Sequence, residues 1–124
     1  ALVFMHHPPF ITGMGAMDEP FEGADLLRDV LSRAPWARLC CGHMHRPIFT
    51  SWAQGLALTV PSISMQIDLD LSPGGGDTFR MEMPGYMLHH WDGNHLNSHV
   101  CQIPADVDFS GPHPFADSVN PVED

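Results

Sequence analysis

Lysine is absent from the 124 residues, and five arginines stand against fifteen aspartates and glutamates for a formal charge of −10. A chain this acidic repels polyanions, which excludes binding of nucleic-acid polymers by charge. A small anionic substrate is still compatible, because a bound dication inverts the field locally. Cysteine is scarce: Cys40, Cys41 and Cys101 are an odd number, and two of them are adjacent, so no disulfide framework is available. Three thiols of this kind read as buried residues of a reducing compartment, and a cytoplasmic location is the expectation. No apolar run approaches the roughly 18 residues of a membrane span, and no internal repeat is present.

What is present begins abruptly. "ALVFMHHPP" reads as a buried strand over residues 2–5, with no polar lead-in. Chain ends ordinarily lie at the surface, so the expectation is the carboxyl-terminal part of a longer protein. Pro8 and Pro9 forbid continuation in a central strand and force a rigid exit. A loop with glycines at 13 and 15 leads to a helix whose inner face carries Ala24, Leu27 and Leu31, with Val30 beside them; Arg28, Asp29 and Arg33 face water and Pro35 ends it. Residues 36–41 read as a second strand, completing a strand–helix–strand unit. Beyond Pro47 come short β-rich runs. Among them "SMQIDLDL" and "TFRMEM" alternate in polarity, "SPGGGD" is a flexible turn, and "GYMLHHW" and "HLNSHVCQI" flank a hairpin turn at Asp92–Asn94. Residues 104–124 form a proline- and acid-rich tail, expected to be poorly ordered or peripheral. The three tryptophans read as packing residues.

The nine histidines carry the chemistry. His6 and His7 sit between a strand and two prolines, where a histidine can simply cap the strand on a backbone carbonyl; the proline pair argues that it fixes where the His6 imidazole points, with His7 expected to point elsewhere. His43 and His45 flank Met44 behind Gly42, in "GHMH" at the end of the second strand. Imidazole suits zinc, iron and related ions. A histidine at one strand tip and a pair at the next would meet at a common sheet edge, and three imidazoles suffice for a mononuclear site with an open position. No acidic ligand is clearly placed with them; Asp18 and Glu19 lie in the first loop and read as solvated loop acids, with an approach to the histidines as the alternative. His89, His90, His95 and His99 read as surface residues of the later hairpin.

"FMHHPPF" followed by "CGHMHRP" and "PGYMLHHW" resembles the calcineurin-like metallophosphoesterase superfamily, and within it the bacterial class III cyclic-nucleotide phosphodiesterases and glycerophosphodiesterases. The resemblance covers the chain to about residue 103. It implies an α/β (α+β) fold, the carboxyl-terminal half of a four-layer α-β-β-α sandwich, with residues 1–103 forming that part of the domain. It also implies that His6 and His43 ligate one metal ion and His45 a second, with His7 and Gly42 standing behind them or lining the pocket. The cofactors implied are two divalent ions (Fe, Mn or Zn), about 3.5–4 Å apart, which supply a hydroxide that attacks a phosphodiester in line with its leaving alkoxide. The earlier Asp-x-His, bridging aspartate and Gly-Asn-His segments of that family are missing. "DGNH" at 92–95 follows Gly-His-x-His rather than preceding it, and is rejected as the missing motif. The isolated chain is therefore expected to be weakly active or inactive. The partners implied are a small phosphodiester, the missing amino-terminal segment and further copies in an oligomer. The competing readings are a mononuclear metal-binding β-rich domain and a non-enzymatic interaction module.

Overall fold

A computed structural model describes residues 1–19, 21–104, 106 and 110–114. Its elements are β1 (Leu2–Met5), a 3-10 turn (Gly15–Met17), α1 (Ala24–Leu31), β2 (Arg38–Cys41), β3 (Ile48–Trp52), β4 (Gly55–Thr59), β5 (Gln66–Ile67), β6 (Phe79–Arg80), β7 (Gly85–Trp91) and β8 (Leu96–Gln102). The fold is mixed α/β, mostly strand with one α-helix. A four-stranded sheet has the order β1-β2-β4-β3, and β5–β6 and β7–β8 form two separate ribbons.

Adjacent parallel strands require a long crossover. Here the loop, the 3-10 turn and α1 provide it between β1 and β2, which pair in parallel from Leu2↔Arg38 to Met5↔Cys41. On α1, Ala24, Leu27 and Leu31 turn toward the sheet, while Asp25 and Arg28 pair at 3.1 Å in solvent. Leu31, Val3, Met5 and Trp52 pack around Phe10, Leu39, Cys41 and Ala57, the core beneath the helix. The helix closes as Ser32 N–H donates to Arg28 O and Ala34 N–H to Leu31 O, and Pro35 cannot extend it. β2 then pairs in parallel with β4, and β3 folds back on β4 through a two-residue turn.

Several expectations are corrected. The second strand starts at Arg38 rather than at residue 36, because Ala37 N–H donates to Ala34 O in a turn and leaves Trp36 71% exposed. Trp91 is likewise exposed, so Trp52 is the tryptophan that packs. β1 is half-buried, and Phe4 faces away from the helix-side core. The alternating "SMQIDLDL" forms a strand only at Gln66–Ile67: Asp70 turns back to bond Ser72, Asp68 is engaged by Arg80, and Leu69 and Leu71 are exposed. "TFRMEM" shortens to Phe79–Arg80 for want of a longer partner. The glycine triplet is no open turn. Gly75 and Gly76 are buried against the first loop, where Gly75 O accepts from Ala16 N–H at 2.7 Å. The tail expected over 104–124 lies largely outside the described residues.

Candidate metal centre

The site grows from the tips of β1 and β2. Parallel register sets Met5 beside Cys41, and so His6 beside Gly42. The Gly42 N–H donates to His6 O at 2.9 Å. Pro8, Pro9 and Phe10, all buried, fix the exit of the chain behind the two histidines. On the second tip, Met44 N–H donates to Gly42 O at 2.7 Å, and His43 between them has φ 69°. That is a γ-turn, a strained backbone conformation. His45 also lies in the left-handed region, at φ 49°. Left-handed histidines cost on the order of 1–2 kcal/mol each. Met44 opposes that cost: its side chain is fully buried with Met14 and Ile67, burial that contributes about 1.5–3 kcal/mol. The loop is thus anchored by its middle residue, and the histidines on either side are turned outward.

Three imidazoles converge there. The ring centroids of His6 and His43 are 5.4 Å apart, those of His6 and His7 5.0 Å, and those of His7 and His43 4.2 Å. One nitrogen from each of the three lies within 4.8 Å of the other two. Contacts of His43 and His7 set the tautomers of those two rings. The Nε2 of His43 lies 3.1 Å from Met17 O, and that of His7 lies 2.9 Å from Glu19 Oε2. Both partners only accept, so in the neutral rings the proton sits on Nε2 and the lone pair on Nδ1. Burial, with the neighbouring His7, pushes the His43 pKa below the usual value of 6.5, partly opposed by Glu19 and by the bond to Met17 O. The ring is therefore neutral at pH 7, as a metal ligand must be.

His45 is placed differently. Its Nδ1 lies 3.1 Å from Met65 O, which puts the proton on Nδ1 and leaves the Nε2 lone pair available. It stands outside the group of three converging nitrogens. Gly42 matters by its smallness, because a Cβ there would lie 3.2 Å from His6 Nδ1.

The two loop acids divide their tasks. Asp18 turns inward and accepts from Thr12 N–H, Thr12 Oγ–H and Gly13 N–H at 2.8–2.9 Å, which shapes the loop. Glu19 faces the histidines, 2.9 Å from His7 and 4.0 Å from His43. The adjacent positions give no sign of this split; the Thr-Gly pair five to six residues before Asp18 is the available signal for it. Backbone carbonyls such as Met17 O and Met65 O leave no trace in composition.

In the later hairpin, His90, His95 and His99 are exposed as expected, but His89 is engaged. Arg38 donates to Ser98 Oγ at 2.6 Å, Ser98 Oγ is 2.7 Å from His89 Nδ1, and His89 Nε2 is 3.8 Å from Cys40 Sγ. "DGNH" is a turn: Asp92 Oδ1 accepts from Asn94 N–H and His95 N–H.

No protein-family model matches the chain. The chain is 37% identical over 118 residues to a protein named as a probable glycerophosphodiester phosphodiesterase from Arcobacter nitrofigilis, covering 92% of this chain and 42% of that one. It is 31% identical over 105 residues to a probable cyclic nucleotide phosphodiesterase from Rhodopseudomonas palustris, covering 82% and 38%. It is 30% identical over 115 residues to a glycerophosphodiester phosphodiesterase from Enterobacter lignolyticus, covering 89% and 39%. The chain spans about two fifths of the length of these curated relatives. This kinship agrees with the resemblance to the carboxyl-terminal portion of a metallophosphoesterase.

Proposed function

From its kinship with the glycerophosphodiester and cyclic-nucleotide phosphodiesterases, we propose that this chain supplies part of the metal centre of a phosphoric diester hydrolase, acting on a cyclic nucleotide or a glycerophosphodiester. The observation that carries the reading is the convergence of His6 and His43 from the tips of adjacent parallel strands, 5.4 Å apart, with their backbones pinned by Pro8, Pro9 and Met44. The donor set fits a divalent transition ion: imidazoles, of which His43 and His45 each already have one ring nitrogen bonded to a backbone carbonyl, leaving the other for a ligand. His6 and His43 would hold one ion and His45 the second, drawn from iron, manganese or zinc. When bound, such ions polarise a phosphoryl oxygen and lower the pKa of water. The chain's own residues orient: the γ-turn at His43 and the Met65 carbonyl behind His45 fix the rings before any ligand arrives. Among the described residues the acid beside the histidine cluster is Glu19, so the remaining carboxylate ligands are taken to come from outside this chain. The sheet and helix would then be part of a four-layer sandwich, in a cytoplasmic and oligomeric enzyme. Among the described residues no helix is long and apolar enough to cross a membrane.

The test is binding of a phosphodiester, bis-p-nitrophenyl phosphate, to the 124-residue chain with and without Mn²⁺. Binding should require the metal and should be lost in His43→Ala. Binding that ignores both metal and His43 would overturn the reading.

A further inference from the structure

Arg46 stands inside "CGHMHRP" yet lies outside the histidine cluster. Three later elements meet on it. Its carbonyl accepts from Thr59 Oγ–H at 2.6 Å, and Thr59 is fully buried at the end of β4. Its Nη1 donates to Ile67 O on β5 and, at 3.0 Å, to Glu82 Oε1 in the segment between β6 and β7. The neighbouring His45 leans on the same strand. Its carbonyl accepts from Ile67 N–H at 3.3 Å, and its Nδ1 lies 3.1 Å from Met65 O. At φ 49° His45 does not hold its conformation alone, so bonds from outside must impose it. We propose that Arg46 is a positioning residue for His45: it pins residues 65–67 against the loop, keeps Met65 O on the Nδ1–H, and so keeps the proton away from Nε2. The inference rests on the proposed function for the use of that Nε2, and on hydrogen bonds alone for the positioning.

The chemistry selects arginine. A terminal guanidinium nitrogen carries two hydrogens, enough for the carbonyl and the carboxylate together, and the planar group directs both. Lysine offers a compact ammonium on a flexible stem. Pro47 restricts the Arg46 backbone to extended conformations, which fixes where the side chain starts. The Arg46 side chain is 18% exposed and that of Glu82 42%. An ion pair this open to water adds little by itself. The charge-assisted bond to the carbonyl of Ile67, a buried residue, adds more. Arg46 should therefore govern the His45 ring, and Glu82 should matter much less. Arg80 is the contrast: 67% exposed, it bonds Asp68, just past β5 and past both groups that hold His45.

The experiment is long-range ¹H–¹⁵N correlation of the metal-free 124-residue chain, labelled with ¹⁵N-histidine, near pH 8.5, above the ordinary histidine range. It reads which nitrogen of each ring carries the proton, and the His45 signal is identified by its loss in His45→Gln. Wild type should show His45 as a single Nδ1–H form. Arg46→Gln should show both tautomers, with near-ultraviolet circular dichroism unchanged. Arg46→Lys, which keeps the charge without the planar fork, should show both with Nδ1–H in excess. Glu82→Gln and Arg80→Gln should keep the single form. A folded Arg46→Gln with His45 still wholly Nδ1–H would overturn the proposal; if that variant is unfolded, the same result in Arg46→Lys would do so. A ring as disturbed in Arg80→Gln as in Arg46→Gln would overturn it too, because any loosening of β5 would then suffice. An Arg46-dependent ring in a chain whose phosphodiester binding ignores metal would uphold the positioning and remove the proposed function. Metal-dependent phosphodiester binding with an Arg46-independent ring would do the opposite.

Discussion

His6 and Gly42 touch across the tips of β1 and β2: the Gly42 N–H donates to the His6 carbonyl at 2.9 Å, and a Cβ at position 42 would lie 3.2 Å from His6 Nδ1. The glycine is therefore a spacing residue for an imidazole. Its φ is outside the left-handed region, so alanine is allowed by the backbone and restricts the unfolded chain. The neighbour that must yield is an exposed side chain. Gly42→Ala should thus change stability by less than about 1 kcal/mol in urea unfolding, while lowering Zn²⁺ affinity severalfold because His6 is displaced. Equal affinity in the variant would show that the His6 ring is not held where the structure places it.

The glycine triplet gives a graded series. At Gly76, φ is 93° and a Cβ would lie 2.5 Å from Met14 O, so Gly76→Ala faces both backbone strain and a carbonyl that cannot step aside. Gly74 has φ 80° with open space around it. Gly74→Ala should cost about 1 kcal/mol, the left-handed penalty alone, and Gly76→Ala about 2–3 kcal/mol. Gly76→Ala should also weaken metal binding, since the segment it presses on runs to Met17, whose carbonyl holds His43. Comparable losses at the two positions in thermal unfolding would refute this packing of 72–77 against the first loop.

The strand–helix–strand unit and its two histidine-bearing tips were legible because each rests on local signals. Pro8 and Pro9 end β1, Leu27 and Leu31 mark the inner helix face, and Gly42 ends β2. What escaped reading depends on partners distant in sequence. Alternation in 64–71 suggested one buried face, yet Gln66 is buried because its own side chain bonds Ser62 N–H and Ser62 O, and Asp68 answers to Arg80. The turn between β3 and β4 is made by Ala53 and Gln54, both at positive φ and neither a residue that announces a turn. Gly55, next to it, is needed because a Cβ would meet Pro35 O at 2.9 Å. The candidate site was legible in its residue types and approximate place. Which nitrogen faces which acceptor was not, because backbone carbonyls and the choice between Asp18 and Glu19 are settled by loop conformation.

The three thiols should separate in reactivity. Burial pushes the Cys41 thiol up to about 12, helped by the adjacent Cys40, and burial also raises Cys40 against the pull of Arg38. Thiolate is the reactive form. Cys101, on β8, is only partly buried. At pH 8 a thiol reagent should modify one cysteine quickly, Cys101, and the remaining two only as the chain unfolds in urea. Rapid modification of all three under native conditions would contradict the packing of β2.

Acid should loosen the contact between the β7–β8 ribbon and β2, and the direction follows from His89. Burial and the Arg38 guanidinium hold its pKa below the usual 6.5. The groups facing it are Arg38 and Cys40 from β2 and Ser98 from β8. Ser98 Oγ accepts from Arg38 and so can donate to His89 Nδ1, while His89 Nε2–H points to Cys40 Sγ. A proton on Nδ1 would reverse the Ser98 bond, making Ser98 Oγ accept from both groups, and would set a second cation beside Arg38. Below pH 6.5 the unfolded chain then binds more protons than the folded one, so stability falls with falling pH. This contribution is fully present above 6.5 and is lost as pH drops through the depressed folded value. His43, shifted the same way, adds to the slope. The urea midpoint of the metal-free protein should decrease between pH 7 and 5, and His89→Gln should flatten that decrease without abolishing it. An unchanged slope in His89→Gln would mean that the imidazole does not sit between Ser98 and Cys40 in solution.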